Sequence, residues 1–383
     1  MKQIVKIVAV NLLILAVILV LVEIAARLFL PPNQPFAERA ISNVLYEPSG
    51  LVQKNALPGQ VVYEIRGGVT QTDKPMFRFN RDGLRNPDLG AKRPREVRVL
   101  IFGGSHVFDL NSYDHQGNPG FPRLLERQLR DSGMEVTVIN AGIPGATSLE
   151  LAGKLLYDFP RYQPDYIIFN STWNDLKWIM KADTGRQVIR SKPYATAPNP
   201  LVEKVGVWDD LLGFSVTYRK LRDAWYRYRL KGAITHREDQ TEEQRVRKAT
   251  SPTAERSDPA EGLRIYGRIA RSFVLNCRMI GAKPVIALEE RYAAPGMTER
   301  QQSRISYDMV SGLHNHDDLL QLFERCDTTL LGVARDLNVP TIDLRMEMRG
   351  SDRYFDDHIH TTPEGSRYIA RRYAELLPGI LGL

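Results

Sequence analysis

The chain has 383 residues, 43% of them hydrophobic and 25% charged, the make-up of a globular protein with a sizeable core. Its formal net charge of +7 is spread along the sequence rather than gathered in blocks. No zinc-finger or RNA-recognition spacing occurs, so nucleic acid is not an expected partner.

Residues 7–30 are almost continuously apolar, interrupted by Asn11, Glu23 and Arg27. A helix of that length, rising about 1.5 Å per residue, can cross a bilayer core of about 30 Å. Glu23 and Arg27 stand four apart near its far end, where they can pair. Lys2 and Lys6 precede it, which favours a cytoplasmic N-terminus and a body outside the cytoplasm. A cleaved signal peptide is the rival reading. The apolar run exceeds the usual length of such a segment, and no clean small-x-small site precedes Pro31 and Pro32. Residues 1–32 are therefore expected to be a retained transmembrane anchor.

Residues 33–95 are rich in proline, glycine and polar side chains, with strand-like pieces at 61–65 and 76–79. The string NRDGLRN at 80–86 contains a turn built on Asp82 and Gly83. This stretch reads as an entry segment to the main domain, which is expected over 96–383.

From residue 97 the pattern becomes regular. The run VRVLIF stops at Gly103 and Gly104 and presents Ser105. An apolar run closed by a turn signal is the mark of a strand buried on both faces. An amphipathic helix follows over 120–131, then a strand at 136–140 that breaks into AGIPGATS. A helix at 149–159 and a strand at 165–169 come next, and the strand runs into NSTWNDLK. Three strands each end in a small or polar loop before a helix. Such alternation predicts a doubly wound parallel sheet with all three loops on the edge where ligands bind.

Residues at about 180–260 break the rhythm and are expected to be an insertion. They include a basic, aromatic-laced helix at 219–231 and a charged stretch with Pro252 and Pro259. Alternation resumes with a helix at 263–280, a strand at 284–288, a helix at 317–337 and a strand at 341–344. The loop YFDDHIHTTPEG and a helix at 366–377 close the chain. Cys277 and Cys326 form no CxxC pair, and two buried thiols or one disulfide both remain open. Trp173, Trp178, Trp208 and Trp225 suit a sugar-binding surface less than core packing or an interface.

Taken alone, Ser105 is a turn residue capping a helix. Nucleophilic acyl transfer would need an imidazole to take its proton and a carboxylate to fix the imidazole. Asp357 and His360 stand three apart on one loop, so a single segment can deliver both. Asp356 is the rival orienter, at a spacing of four. His358 beside His360, and His314 near His316, raise the question of a metal. No metal-ligand spacing accompanies them, so neither metal nor cofactor is expected. Asp175 reads as a structural loop residue.

Four blocks in order resemble the SGNH (GDSL-type) hydrolase superfamily. GGSH at 103–106 is similar to its nucleophile motif, with Gly104 in place of the more familiar aspartate and His106 where a small or hydroxyl residue is usual. NAGIPGATS places Gly145 at the oxyanion-hole glycine, and STWNDL places Asn174 at the oxyanion-hole asparagine. DDHIHTTPEG matches the block that carries Asp357 and His360. NRDGLRN and the N-terminal helix are also similar to those of membrane-anchored members.

The resemblance implies a flavodoxin-like three-layer α/β/α fold. It implies Ser105 as nucleophile, His360 as general base and then acid, and Asp357 as orienter. The backbone N–H groups of Ser105 and Gly145 and the Asn174 amide would bind the oxyanion. Expected partners are a membrane and an ester-bearing carbohydrate or lipid, such as an O-acetylated envelope component. Hydrolysis and transfer share the first half-reaction and stay open. The alternative is a non-catalytic envelope protein that uses the same fold to bind a polysaccharide or an assembly partner.

Overall fold

A computed structural model describes residues 2–29, 69–180 and 258–382, apart from 308–309, 311–312 and 314, with short pieces at 46–47, 55–56, 58–59, 61–66, 215, 217–218 and 221. His314, Trp208, Trp225 and nearly all of the expected insertion lie outside the described residues.

The chain divides into two compact units. The smaller contains α1 (Lys2–Phe29). Glu23 on this helix accepts hydrogen bonds from the Ser215 hydroxyl at 2.7 Å and the Thr217 N–H at 3.1 Å. The side chain of Arg27, its expected partner, is outside the described residues. Among the described residues no helix is long and apolar enough to cross a membrane, the described side chains of α1 being continuous only over 14–25. Within that run Ile14, Val17, Ile18 and Leu21 are each about half exposed.

Two small sheets follow in sequence, β1 (Tyr46–Glu47) antiparallel to β2 (Asn55–Ala56), and β3 (Val61–Arg66) with β4 (Val69–Arg78). The second is longer than the sequence pattern suggested, because the mainly polar residues 69–74 continue the strand.

The main sheet belongs to the larger unit. Its strands are β5 (Val97–Gly103), β6 (Val136–Gly142), β7 (Tyr166–Asn170), β8 (Lys283–Leu288) and β9 (Thr341–Asp343), all parallel. Their order is β6-β5-β7-β8-β9, the flavodoxin-like order whose reversal beside the first strand opens a crevice. The helices that shape the site and cover the sheet are α2 (Ser105–Phe108), α3 (Phe121–Asp131), α4 (Ser148–Tyr157), α5 (Trp173–Ile179), α6 (Ala260–Met279), α7 (His316–Asp336) and α8 (Pro363–Leu381). On one face α3 packs against α8, and on the other α6 packs against α4, α5 and α7. The expected three layers are present.

Burial on both faces explains the uniform apolar strands. Val99, Leu100, Ile101 and Phe102 are fully buried, and the Phe102 ring meets Phe159 at 4.7 Å and Phe273 at 5.4 Å. Cys277 and Cys326 are both buried free thiols.

Residues 80–86 are an integral brace of this sheet. The Asn80 side chain accepts from the N–H groups of Asp82 and Leu84 and fixes the turn. Asn86 donates to Val138 O at 2.9 Å and accepts from Asn140 N at 2.8 Å, so its amide pairs with edge strand β6 as a further strand would.

Register sets the site. Gly103 is level with Gly142 on β6 and with Asn170 on β7, so three loops begin side by side. At Gly142 the backbone of α2 comes close, and a Cβ there would lie 2.2 Å from Phe108 N. Backbone atoms cannot swing aside as a side chain can. Gly142→Ala should therefore destabilise the protein by about 2 kcal/mol through overpacking, read as a lowered midpoint in chemical denaturation. An unchanged midpoint would show that α2 does not press on this strand.

Candidate active site

Ser105 is the first residue of α2, immediately after the Gly103–Gly104 turn. Both glycines are required by what surrounds them. A Cβ at Gly103 would meet Val107 Cγ2 at 2.2 Å and Asn170 O at 2.4 Å. At Gly104 it would lie 2.6 Å from Asn174 Nδ2, so an aspartate here would displace the Asn174 amide.

The structure brings together the three residues expected to act on the ester. His360 Nε2 stands 2.8 Å from Ser105 Oγ, and its Nδ1 stands 2.7 Å from Asp357 Oδ2. The other carboxylate oxygen, Oδ1, accepts from the backbone N–H groups of Ile359 and His360, each at 2.9 Å. Burial alone would raise the Asp357 carboxyl, but the His360 and His358 rings and these hydrogen bonds hold it well below the usual carboxylate range. Asp356, the rival orienter, turns to Asn111 instead, accepting its amide at 3.0 Å. Arg304 secures the loop by donating to Phe355 O and Asp356 O. An imidazole held between an ionised carboxylate and a serine hydroxyl can take the hydroxyl proton, with the tautomer fixed by the carboxylate.

The two remaining loops arrive beside this serine. Ala146 N donates to Ile143 O at 3.0 Å, closing a turn with Pro144 and Gly145 at its centre. Gly145 has φ +79°, the sign that the third position of a type II turn demands. Asn174 donates one amide N–H to Ala146 O at 3.0 Å and carries a second on the nitrogen that faces Gly104.

Several further residues hold these loops in place. Asp175 accepts from Ser148 N and Oγ, Ser171 Oγ and Trp178 Nε1, tying the start of α4 to α5. It is structural, as its position suggested, and burial raises its carboxyl to about 6. Glu289 accepts from the N–H groups of Thr172 at 2.7 Å and Trp173 at 2.9 Å, which fixes the first turn of the helix that carries Asn174. Burial pushes Glu289 up to about 7. His106 lies beneath the turn with Nε2 at 3.1 Å from Asn170 O, and burial lowers it to about 4, leaving it neutral. Arg85 donates to Phe108 O and Asp109 O at the end of α2.

The sequence alone does not single out Glu289 or Arg85. The string EER directly after the apolar run VIAL was the available signal, because it ends a strand on the same edge as Ser105.

His358 and His316 have ordinary partners. His358 Nδ1 is 3.1 Å from Ser306 Oγ and its ring lies against Trp173. His316 is shared by Tyr307 and Ala294 O. Among the described residues no group of three or more side chains is arranged to hold a metal ion.

No family model and no curated protein matches the chain. Among solved structures it is similar to the lipase/acylhydrolase from Enterococcus faecalis, at 14% identity and a TM-score of 0.41 over 74% of this chain and 96% of that one. A GDSL-like lipase from Bacteroides thetaiotaomicron is 13% identical, with a TM-score of 0.37 over 77% and 93% of the two chains. An acetyl xylan esterase from Geobacillus stearothermophilus is 12% identical, with a TM-score of 0.40 over 73% and 93%.

Glu289 gives a pH dependence with a definite sign. A carboxyl raised on folding binds its proton more tightly in the native state. Its contribution is full below the unfolded value of about 4.3 and is lost as pH rises through about 7. Wild type should therefore lose stability relative to Glu289→Gln as pH rises across that window, measured by urea denaturation at several pH values. Parallel curves for the two proteins would show that Glu289 is not protonated there.

Proposed function

We propose that the chain is a serine-dependent esterase or acyltransferase that works through an acyl-enzyme. The observation that carries this reading is the Ser105–His360–Asp357 relay, closed at hydrogen-bond distance beside the Asn174 amide. Ser105 Oγ attacks the acyl carbon and its proton passes to His360 Nε2. Asp357 holds the Nδ1–H and stabilises the imidazolium that forms. The carbonyl oxygen gains the negative charge, and the N–H groups of Ser105 and Gly145 with the Asn174 amide stabilise it. The carbon–oxygen bond to the alcohol then breaks, and His360 returns the proton to the leaving oxygen. Water, or a sugar hydroxyl, next attacks the acyl-enzyme with His360 again as base, releasing an acid or a new ester and restoring Ser105.

The substrate class proposed is an O-acyl ester, for instance O-acetyl, on an envelope carbohydrate or lipid. It rests on the resemblance of the four blocks and on placement at a membrane. Apolar side chains of α1 that stand exposed, from Val10 to Ile24, are costly in water and are accommodated by lipid. With Lys2 and Lys6 ahead of them, they support an anchor that leaves the catalytic unit outside the cytoplasm.

A fluorophosphonate probe tests the reaction. Wild type should be labelled and should cleave chromogenic acetyl esters, and Ser105→Ala should lose both. A folded wild type that is neither labelled nor active would favour the non-catalytic binding protein. Topology is tested separately with a reporter fused after Leu383. A reporter requiring export should be active, and activity confined to a cytoplasmic reporter would overturn the placement.

A further inference from the structure

A cleft in the larger unit is lined by no residue of the relay or of the oxyanion donors. Arg78, Arg85, Arg123 and Arg127 line it, with Asp114 as the single carboxylate among them, around a cavity of about 400 Å³. That volume is in the range of roughly 300–1,000 Å³ usual for small-ligand clefts. The arginines come from three directions. Arg78 ends β4, Arg85 stands on the brace segment, and Arg123 and Arg127 sit one turn apart on α3.

Compensation among them is uneven, and Arg85 also lies in the field of the buried Asp109 carboxylate. Asp114 is 3.6 Å from Arg85 and 3.9 Å from Arg78, outside direct hydrogen-bond distance in both cases. Arg123 shares Glu126 with Arg130, and Arg127 makes no ion pair among the described residues. Arg85 is buried, and its Nε has no hydrogen-bond partner. A buried guanidinium N–H left without an acceptor costs free energy that a bound anion would recover. Arg78 and Arg127, both exposed, add positive charge to the same cleft.

We propose that this cleft binds the phosphate group of a small organic phosphate. A carboxylate is planar and is satisfied by a single guanidinium fork. A tetrahedral phosphate offers oxygens in several directions and can engage forks from three sides at once. The cavity exceeds a bare ion, which leaves room for the group the phosphate is carried on. The ligand would rest on Arg85, the residue that holds the carbonyls at the end of α2.

Calorimetric titration of the full-length chain with glucose 6-phosphate, inorganic phosphate and glucose tests the assignment. Glucose 6-phosphate should bind at one site and glucose should not. Arg78→Gln or Arg127→Gln, both exposed positions, should each weaken binding by about tenfold, the loss of one charge-assisted contact. Arg371→Gln, an exposed arginine on α8, removes the same charge elsewhere and should change nothing. Inorganic phosphate binding as tightly as the sugar phosphate would identify the free ion as a sufficient source, and weaker binding would show that the organic part contributes. Absence of binding, equal binding of glucose, or equal weakening by Arg371→Gln would overturn the proposal.

Discussion

Parallel pairing in one register is the constraint on which the site depends. Because Gly103, Gly142 and Asn170 end their strands at the same level, the turns that follow them emerge side by side. A Cβ at Gly103 or Gly142 would run into neighbouring backbone, which is why two of the three strand ends are glycine. A shift of one residue in β6 or β7 would move Gly145 or Asn174 away from Ser105 and turn the apolar faces of that strand over. The geometry of the three loops is thus a property of the whole sheet, and the sheet is held by the apolar layers on its two faces.

Bringing His360 to Ser105 is a separate problem, because the two stand 255 positions apart in the sequence. A buried hub solves it. Asp109 has φ 62°, and its carboxylate accepts from Ser112, Ser366 and the Phe121 N–H. Thr361 Oγ, next to His360, lies 3.3 Å from the same carboxylate. The segment after the serine and the segment after the histidine are therefore fastened to one group. Hydrogen bonds to a charged acceptor contribute about 1.5–3 kcal/mol each, enough to offset a strained backbone angle and the burial that raises this carboxyl.

Much of this was legible in the sequence because it follows from period and chain order. Strands at 136–140 and 284–288 lie within one or two residues of the observed β6 and β8, since uniform apolar runs bounded by turns admit few readings. Asp357 and His360 stand out because they share one short loop, and Ser105 joins them only through the order of the four blocks that resemble the SGNH hydrolases. What escaped was long-range and polar. Nothing in the local pattern shows that Asn86 pairs with a strand edge 52 residues away, or that Glu289 supports a helix 116 residues before it. Such contacts depend on which loops the sheet brings together, and a single sequence displays only that charged residues follow a buried strand. Gly104, a departure from the familiar motif, becomes intelligible only when Asn174 is seen against it.

The central claim is that Ser105 becomes covalently acylated. Acid quench of the enzyme during turnover of an acetyl ester, followed by peptide mass spectrometry, tests it most directly. The account predicts one acetyl group on the peptide that contains Ser105, appearing with substrate and decaying as substrate is exhausted. Turnover with that peptide unmodified, and acetyl carried on another residue or on none, would contradict it.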